Sequence, residues 1–252
     1  MKRLIISAAA AIITLHAGAA VAAEGKEISA RDWSFSGVFG TFDRAALQRG
    51  FQVYREICAG CHSLRLIAFR NLADLGYGEE EIKAFAAEYT VVDGPNDEGE
   101  MFERAAIPSD RFPSPFPNDK AAAAANNGAV PPDLSLIAKA RKGGPDYLHA
   151  FLIGYEEPPE GVELLEGTSY NGYFPGGQVA MPQPFFGDDV EYGDGTAATA
   201  EQLAADVSNF LMWAAEPNLE ERIRMGRGVI IFLLVFTALL YAAKRKVWAD
   251  LH

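Results

Sequence analysis

Cysteine is almost absent from this 252-residue chain. Its two thiols, Cys58 and Cys61, exclude a disulfide-stapled scaffold and any four-thiolate cluster built by this chain alone. Histidine is scarce as well, with four residues in all. Positive charge is in deficit: 22 Lys and Arg face 34 Asp and Glu, for a net charge of −12. No basic stripe is found, which argues against a nucleic-acid partner. No internal repeat is found either. What is plentiful is apolar material, 49% hydrophobic against 22% charged residues, enough for a core and incompatible with wholesale disorder. The length suits one domain of moderate size with appendages.

Both ends of the chain carry membrane signals. Lys2 and Arg3 precede an apolar stretch from Leu4 to Leu15, and small residues follow through Ala23. This pattern predicts a cleavable secretory signal over residues 1–23. Twelve residues cover only about 18 Å as a helix, too short to span a bilayer. At the other end, Gly228 to Ala243 carries no charge and is followed by Lys244, Arg245 and Lys246. Its roughly 24 Å can be extended by snorkelling of Arg227 and Lys244, so residues 225–247 are predicted to form one transmembrane anchor. Flanking basic residues are balanced, and the signal decides the orientation: an exported domain over 24–221 and a cytoplasmic tail over 248–252. The expected location is a bacterial inner membrane, crossed once, with the domain in the periplasm.

The exported domain is far more acidic than the whole, with 14 basic and 33 acidic residues and a net charge of −19. The acid clusters at Glu79–Glu81, Asp93–Glu103, Glu156–Glu166 and Asp188–Asp194. Two readings stand: a solvated surface that aids solubility, or a field that steers a basic soluble partner.

Periodicity and caps predict a helix over 42–57 opened by Thr41, a short helix over 79–89, and a Pro-rich loop over 91–119. An alanine run at 121–125 leads to Pro131-Pro132-Asp133, with the Asp placed to cap a helix over 134–142. Another helix is expected over 145–154, then loop with at most a short hairpin over 155–197, then a strong helix capped by Thr199 and ending near Pro217.

The first helix delivers Cys58-Ala59-Gly60-Cys61-His62. Two thiols three positions apart, followed by an imidazole, form the attachment signature for c-type haem: each thiol adds to a vinyl group and the imidazole meets the iron. Two rivals exist. A redox dithiol belongs in a βαβ context that is missing here. A zinc site needs further ligands, and only His16, His149 and His252 are left. The reading is therefore one covalent haem c, with Cys58 and Cys61 as thioethers and His62 as proximal ligand.

The sixth coordination position separates electron transfer from small-molecule chemistry. Candidates are Met101, Met181, Met212, Met225 and His149. Met181 is favoured because the glycines and prolines of Phe174–Pro182 allow an irregular backbone to bring a thioether to the iron. A thioether raises the potential, which suits a late acceptor in a respiratory chain.

Several segments in order carry a family resemblance: Arg49–Tyr54, Ala125–Ser135, Gly154–Pro159, Gly172–Gly176, the Met181 segment, and Phe210–Pro217 just ahead of the anchor. The chain resembles the cytochrome c1 family, haem subunits of ubiquinol–cytochrome c reductase, the cytochrome bc1 complex. The resemblance implies a mainly α fold, a cytochrome c-like haem domain with loop-rich insertions and one C-terminal transmembrane helix. It implies Met181 as axial ligand, Arg141 as partner of a haem propionate, and Asn126, Pro131 and Pro132 as pocket wall, with a backbone carbonyl there able to fix the tautomer of His62. On residue type alone, Arg141 reads as a helix-surface charge. Implied partners are the Rieske iron–sulfur protein as donor, cytochrome b, cytochrome c as acceptor, and membrane lipid, in a dimeric complex. The chain is then an electron carrier and no catalyst by itself. A membrane-anchored, peroxidase-like haem enzyme and a haem subunit of a terminal oxidase are the alternatives. Some bacterial relatives hold the Met loop with an extra disulfide, for which this chain has no cysteines.

Overall fold

The structure, a computed structural model, describes residues 26–249. The predicted signal over 1–23 and the last three residues of the predicted tail lie outside them. Asp43, and not Thr41, opens the first helix. Its carboxylate accepts from the amides of Ala45 and Ala46 (2.9 and 3.3 Å), while the Thr41 amide is already committed to the Ser34 carbonyl. Helix α1 (Arg44–Val53) buries Leu47, Gly50, Phe51 and Val53. The chain then widens into a five-residue π turn, Tyr54–Cys58, where the Ala59 N–H reaches back to the Tyr54 carbonyl at 2.8 Å.

A 3₁₀ segment, Phe69–Leu75, leads to α2 (Glu79–Ala87). The stretch expected to be loop over 91–119 contains an antiparallel hairpin of β1 (Thr90–Asp93) and β2 (Phe102–Ala105), with Thr90 opposite Ala105. Arg104 closes it by bonding both Asp93 and Asp110. Helix α3 (Asp119–Ala125) is capped by Asn118. The helix expected over 134–142 shrinks to α4 (Ile137–Ala140), because the Asp133 carboxylate takes the Ser135 amide into a tight turn (2.9 Å). Helix α5 (Gly144–Ile153) follows, and the anticipated short hairpin is β3 (Ser169–Tyr170) with β4 (Gln178–Val179). Thr199 caps α6 (Ala200–Ala215) through the Gln202 amide at 3.2 Å.

The core is organised on α6, which packs against α1, α4 and α5. Where α1 crosses it, a Cβ on Gly50 would lie 2.1 Å from the Asp206 carbonyl oxygen, so only a hydrogen fits. This close approach packs Phe51 of α1 and Tyr54 of the π turn, tilted, against Phe210 of α6, with centroids 5.7 and 5.8 Å apart. Beside the crossing, the buried Asp206 carboxylate receives Arg49 in a two-pronged pair (2.9 and 3.0 Å), the geometry that best offsets the desolvation of both charges.

Only three residues separate α6 from α7 (Leu219–Val247). Glu216 in that junction binds both Lys139 and Arg222, and Leu219 is buried in the core. Among the described residues, α7 is the one helix long and apolar enough to cross a membrane, and its apolar side chains are exposed. The molecule is thus mainly helical, with little strand and one long apolar C-terminal helix.

The Gly50 crossing generates a prediction. Gly50→Val forces α1 off α6 and lowers stability by about 2–3 kcal/mol, measured by chemical denaturation of the detergent-solubilised protein; an unshifted midpoint would remove the crossing as a constraint.

Candidate functional site

The π turn ends at the paired thiols. The Cys61 and His62 amides both donate to the Cys58 carbonyl (3.1 and 2.9 Å), folding Cys58–His62 into a tight hook. The hook is held from behind by Tyr54, fully buried, whose hydroxyl donates to the His62 carbonyl at 3.1 Å.

Asp133 fastens this hook to the segment after α3. Its Oδ2 accepts from the Ser63 hydroxyl and the Arg65 amide (2.8 and 2.9 Å) and its Oδ1 from the Ser135 amide. Burial acts to raise the Asp133 pKa, but these donors outweigh it and hold the carboxyl below the ordinary range. The Leu134 amide adds a bond to the Ser63 carbonyl at 2.9 Å. Together these contacts bring the Pro132 carbonyl oxygen to 2.8 Å from His62 Nδ1.

A carbonyl oxygen can only accept, so the imidazole proton sits on Nδ1 and the lone pair is left on Nε2. Burial pushes the His62 pKa below 6.5, with the Pro132 bond opposing in part. The ring is therefore neutral near pH 7, the state that ligates a metal.

Cys58, Cys61 and His62 line a cleft of about 320 Å³ whose walls are mostly apolar. Ile137 of α4, Leu148 and Phe151 of α5, and Val207 and Leu211 of α6 form much of it. Asn126, Pro131, Pro132, Arg141 and Met181 line the same cleft. The structure thus brings all eight predicted site residues together. The other candidate sixth ligands are elsewhere: Met101 and Met225 are exposed, Met212 packs into the core from α6, and His149 is buried beside Glu201 at 3.0 Å.

The Met181 loop is tied down without a disulfide. The Tyr155 hydroxyl donates to the Met181 carbonyl (3.2 Å), and Tyr155 forms an antiparallel bridge with Asn171. Asn171, fully buried, donates from Nδ2 to the Phe151 carbonyl (2.7 Å) and thereby fastens the loop to α5. Tyr54, Tyr155, Asn171 and the bracket role of Asp133 escape a reading by residue type. Tyr155 had a signal, a phenol set between Gly154 and two acids in a loop.

Arg141, at the end of α4, reaches the cleft and makes no salt bridge among the described residues. It is a cation available to an anionic group of a bound ligand.

The donor set selects among chemistries. Among the described residues no three His, Cys, Asp or Glu side chains are placed to hold a metal ion by themselves. A redox dithiol needs a depressed thiol pKa, whereas burial, with Cys61 adding to it, pushes the Cys58 thiol up to about 12. An apolar slot with two thiols and a neutral imidazole, a thioether on the same cleft and a free guanidinium fits a haem. Nitrogen chemical shifts of His62 in the ligand-free chain should show the proton on Nδ1 and a titration midpoint below 6.5; a proton on Nε2 would overturn the tautomer.

Comparison with known proteins agrees with this geometry. The Cytochrome C1 family matches residues 33–251. "Cytochrome c1" of Rhodospirillum rubrum is 48% identical over 99% of this chain and 97% of its own length. "Cytochrome c1 1, heme protein, mitochondrial" of Arabidopsis thaliana is 51% identical over 93% of this chain and 76% of its own length. "Cytochrome b/c1" of Bradyrhizobium diazoefficiens is 53% identical over 87% of this chain, which spans 35% of that relative's length. Matched from Trp33 to Leu251, the chain belongs to the cytochrome c1 family.

Proposed function

We infer that the chain is the electron-transfer haem subunit of a cytochrome bc1 complex, carrying one covalent haem c. Cys58 and Cys61 would hold it through thioether bonds, and His62 Nε2 and Met181 Sδ would ligate its iron. The observation that carries this reading is the 2.8 Å bond from His62 Nδ1 to the Pro132 carbonyl, which aims the free lone pair of the attachment motif at the cleft that Met181 also lines. Bound there, the haem supplies a one-electron centre whose potential a thioether ligand raises.

Each residue then has a physical task. Burial pushes the Cys58 thiol pKa up, which would keep it protonated and slow to exchange with disulfides before a haem is attached. The Pro132 carbonyl holds the His62 ring orientation and increases its basicity as a ligand. Tyr155 and Asn171 hold the thioether segment in place, so little rearrangement accompanies a change of one charge. Arg141 pairs with a propionate at the cleft mouth. Apolar walls from α4, α5 and α6 exclude water, which keeps the site's dielectric low.

The donor is the Rieske iron–sulfur protein and the acceptor a cytochrome c, within an assembly that includes cytochrome b and is dimeric. The anchor α7 crosses a bacterial inner membrane, with the domain in the periplasm and the tail in the cytoplasm, after removal of a signal over residues 1–23. The acidic loop supports docking of a basic acceptor. Gln178, next to the cleft-lining Val179, bonds the Glu163 carbonyl and the Leu165 amide, so the exposed Glu163 and Glu166 stand beside the cleft wall. Such charges set encounter rate more than affinity.

Met181→Leu should lower the reduction potential by on the order of 0.1 V and let carbon monoxide bind the reduced protein, as followed by redox titration and optical spectra. An unchanged potential would place the sixth ligand elsewhere. Carbon monoxide binding to the unmutated protein would favour the enzyme reading. Raising ionic strength from 10 mM to 1 M, where screening shortens from about 30 to 3 Å, should slow electron transfer to a basic cytochrome c; a flat profile would count against steering.

A further inference from the structure

The segment from Ser34 to Thr41 is a closed loop. The Gly40 amide donates to the Gly37 carbonyl (3.3 Å) and the Thr41 amide to the Ser34 carbonyl (3.0 Å), with Gly37 in the left-handed region at φ +79°. Its flanks are rigidly held. Phe35 and Phe42 are buried and pack ring to ring at 5.1 Å. The Phe42 amide donates to Glu220 of α7 at 2.7 Å, and Arg44 bonds the same carboxylate at 3.0 Å. Between those anchors the tip presents two apolar side chains to solvent, Val38 at 66% and Phe39 at 77% exposure. A rigid loop that exposes its apolar residues while burying the aromatics on either side marks an interaction site.

The position of the tip identifies what it meets. Glu220 holds the loop's base to the first turn of α7, and Arg227 lies seven residues on, about 10.5 Å further along the helix axis. The Arg227 guanidinium sits over the Phe39 ring, 5.1 Å from its centroid. Arg227 is also the last charged residue before the uncharged run Gly228–Ala243. That run is about 24 Å long, shorter than the roughly 30 Å hydrocarbon layer. Seating it draws Arg227 down to the headgroup boundary, and Phe39 goes with it. Phe and other apolar side chains bury at the headgroup–acyl boundary, and the residue stacked on the Phe39 ring, Arg227, immediately precedes the span.

We propose that the Ser36–Gly40 loop is a second membrane contact of this protein, with Val38 and Phe39 inserted at the headgroup–acyl boundary of the bilayer that α7 crosses, its occupant being lipid. The inference rests on the reading of α7 as the membrane anchor. With it the domain touches the bilayer at two points, a helix and a loop tip, so its tilt about the helix axis is set.

The test incorporates benzoylphenylalanine singly at Phe39, Phe232 or Phe186 in the full-length protein and irradiates native membranes, reading adducts by mass spectrometry. Phe232 reports on α7 itself. Phe186 is as exposed as Phe39, at 75%, but lies at the far end of α6, where the Asp188 amide bonds the Ala198 carbonyl. The expected result is lipid adducts at 39 and 232 and none at 186. Adducts at 232 with only water-quenched product at 39 would overturn the loop contact and leave α7 as the anchor. A crosslink from 39 to another polypeptide would replace lipid by a protein occupant and overturn the proposal. Equal labelling at 186 would reduce the signal to general exposure, and absence at both 39 and 232 would bring down the anchor reading together with the loop.

Discussion

A neutral imidazole has one proton for two nitrogens, and in this chain a proline carbonyl decides where the proton goes. The Pro132 oxygen lies 2.8 Å from His62 Nδ1, an unusual task for a residue with no amide of its own. Because Pro132 has no N–H, its carbonyl is the only main-chain polar group it offers. That carbonyl reaches the ring only because Asp133 binds Ser63, Arg65 and Ser135 at once. The orientation of the ligand ring, the position of the cleft wall and the shortness of α4 all follow from this one bracket. Its failure would free the ring and the wall together.

A second layer of constraint keeps a strongly acidic, loop-rich domain compact. Many of its cations sit inside carboxylate pairs or triads: Arg49 with Asp206 and Asp194, Arg104 with Asp93 and Asp110, Lys83 with Glu79 and Glu80. Exposed pairs of this kind contribute little individually. The Arg49–Asp206 pair differs, since it is shielded at the α1–α6 crossing and bidentate. Elsewhere the pairs mainly fix loops, as Arg104 does for the hairpin over Thr90–Ala105, and excess acid is left at the surface.

Much of the cleft lining was legible because the Cys58–His62 spacing suits few chemistries. Two thiols and an imidazole in five residues allow few readings, and Met181 stood out among the methionines for its irregular, Gly- and Pro-rich surroundings. The strong helix at α6 was legible from its cap and periodicity. The start of α1 was not, because Thr41 and Asp43 are both good caps and only the tertiary bond between Thr41 and Ser34 decides between them. The hairpin over 90–105 was hidden because its alternation is weak and its closing contact runs from Arg104 of β2 to Asp110, which lies beyond both strands. Asp133 looked like an ordinary helix cap, since its long-range partners are 68 to 70 residues away. Tyr155 and Asn171 act through backbone carbonyls, which leave no trace in residue type.

The junction of three residues between α6 and α7, with Glu216 clamped by Lys139 and Arg222, has a consequence for motion. Val207 and Leu211, which line the cleft, stand on α6 within about two and a half turns of that junction. There is no slack of the kind a flexible tether would provide, so the cleft is held at one height and one bearing above the apolar helix. A cleft mounted so stiffly cannot swing relative to α7. Any travel needed to bring redox centres within tunnelling range has to be made by the molecules that visit it.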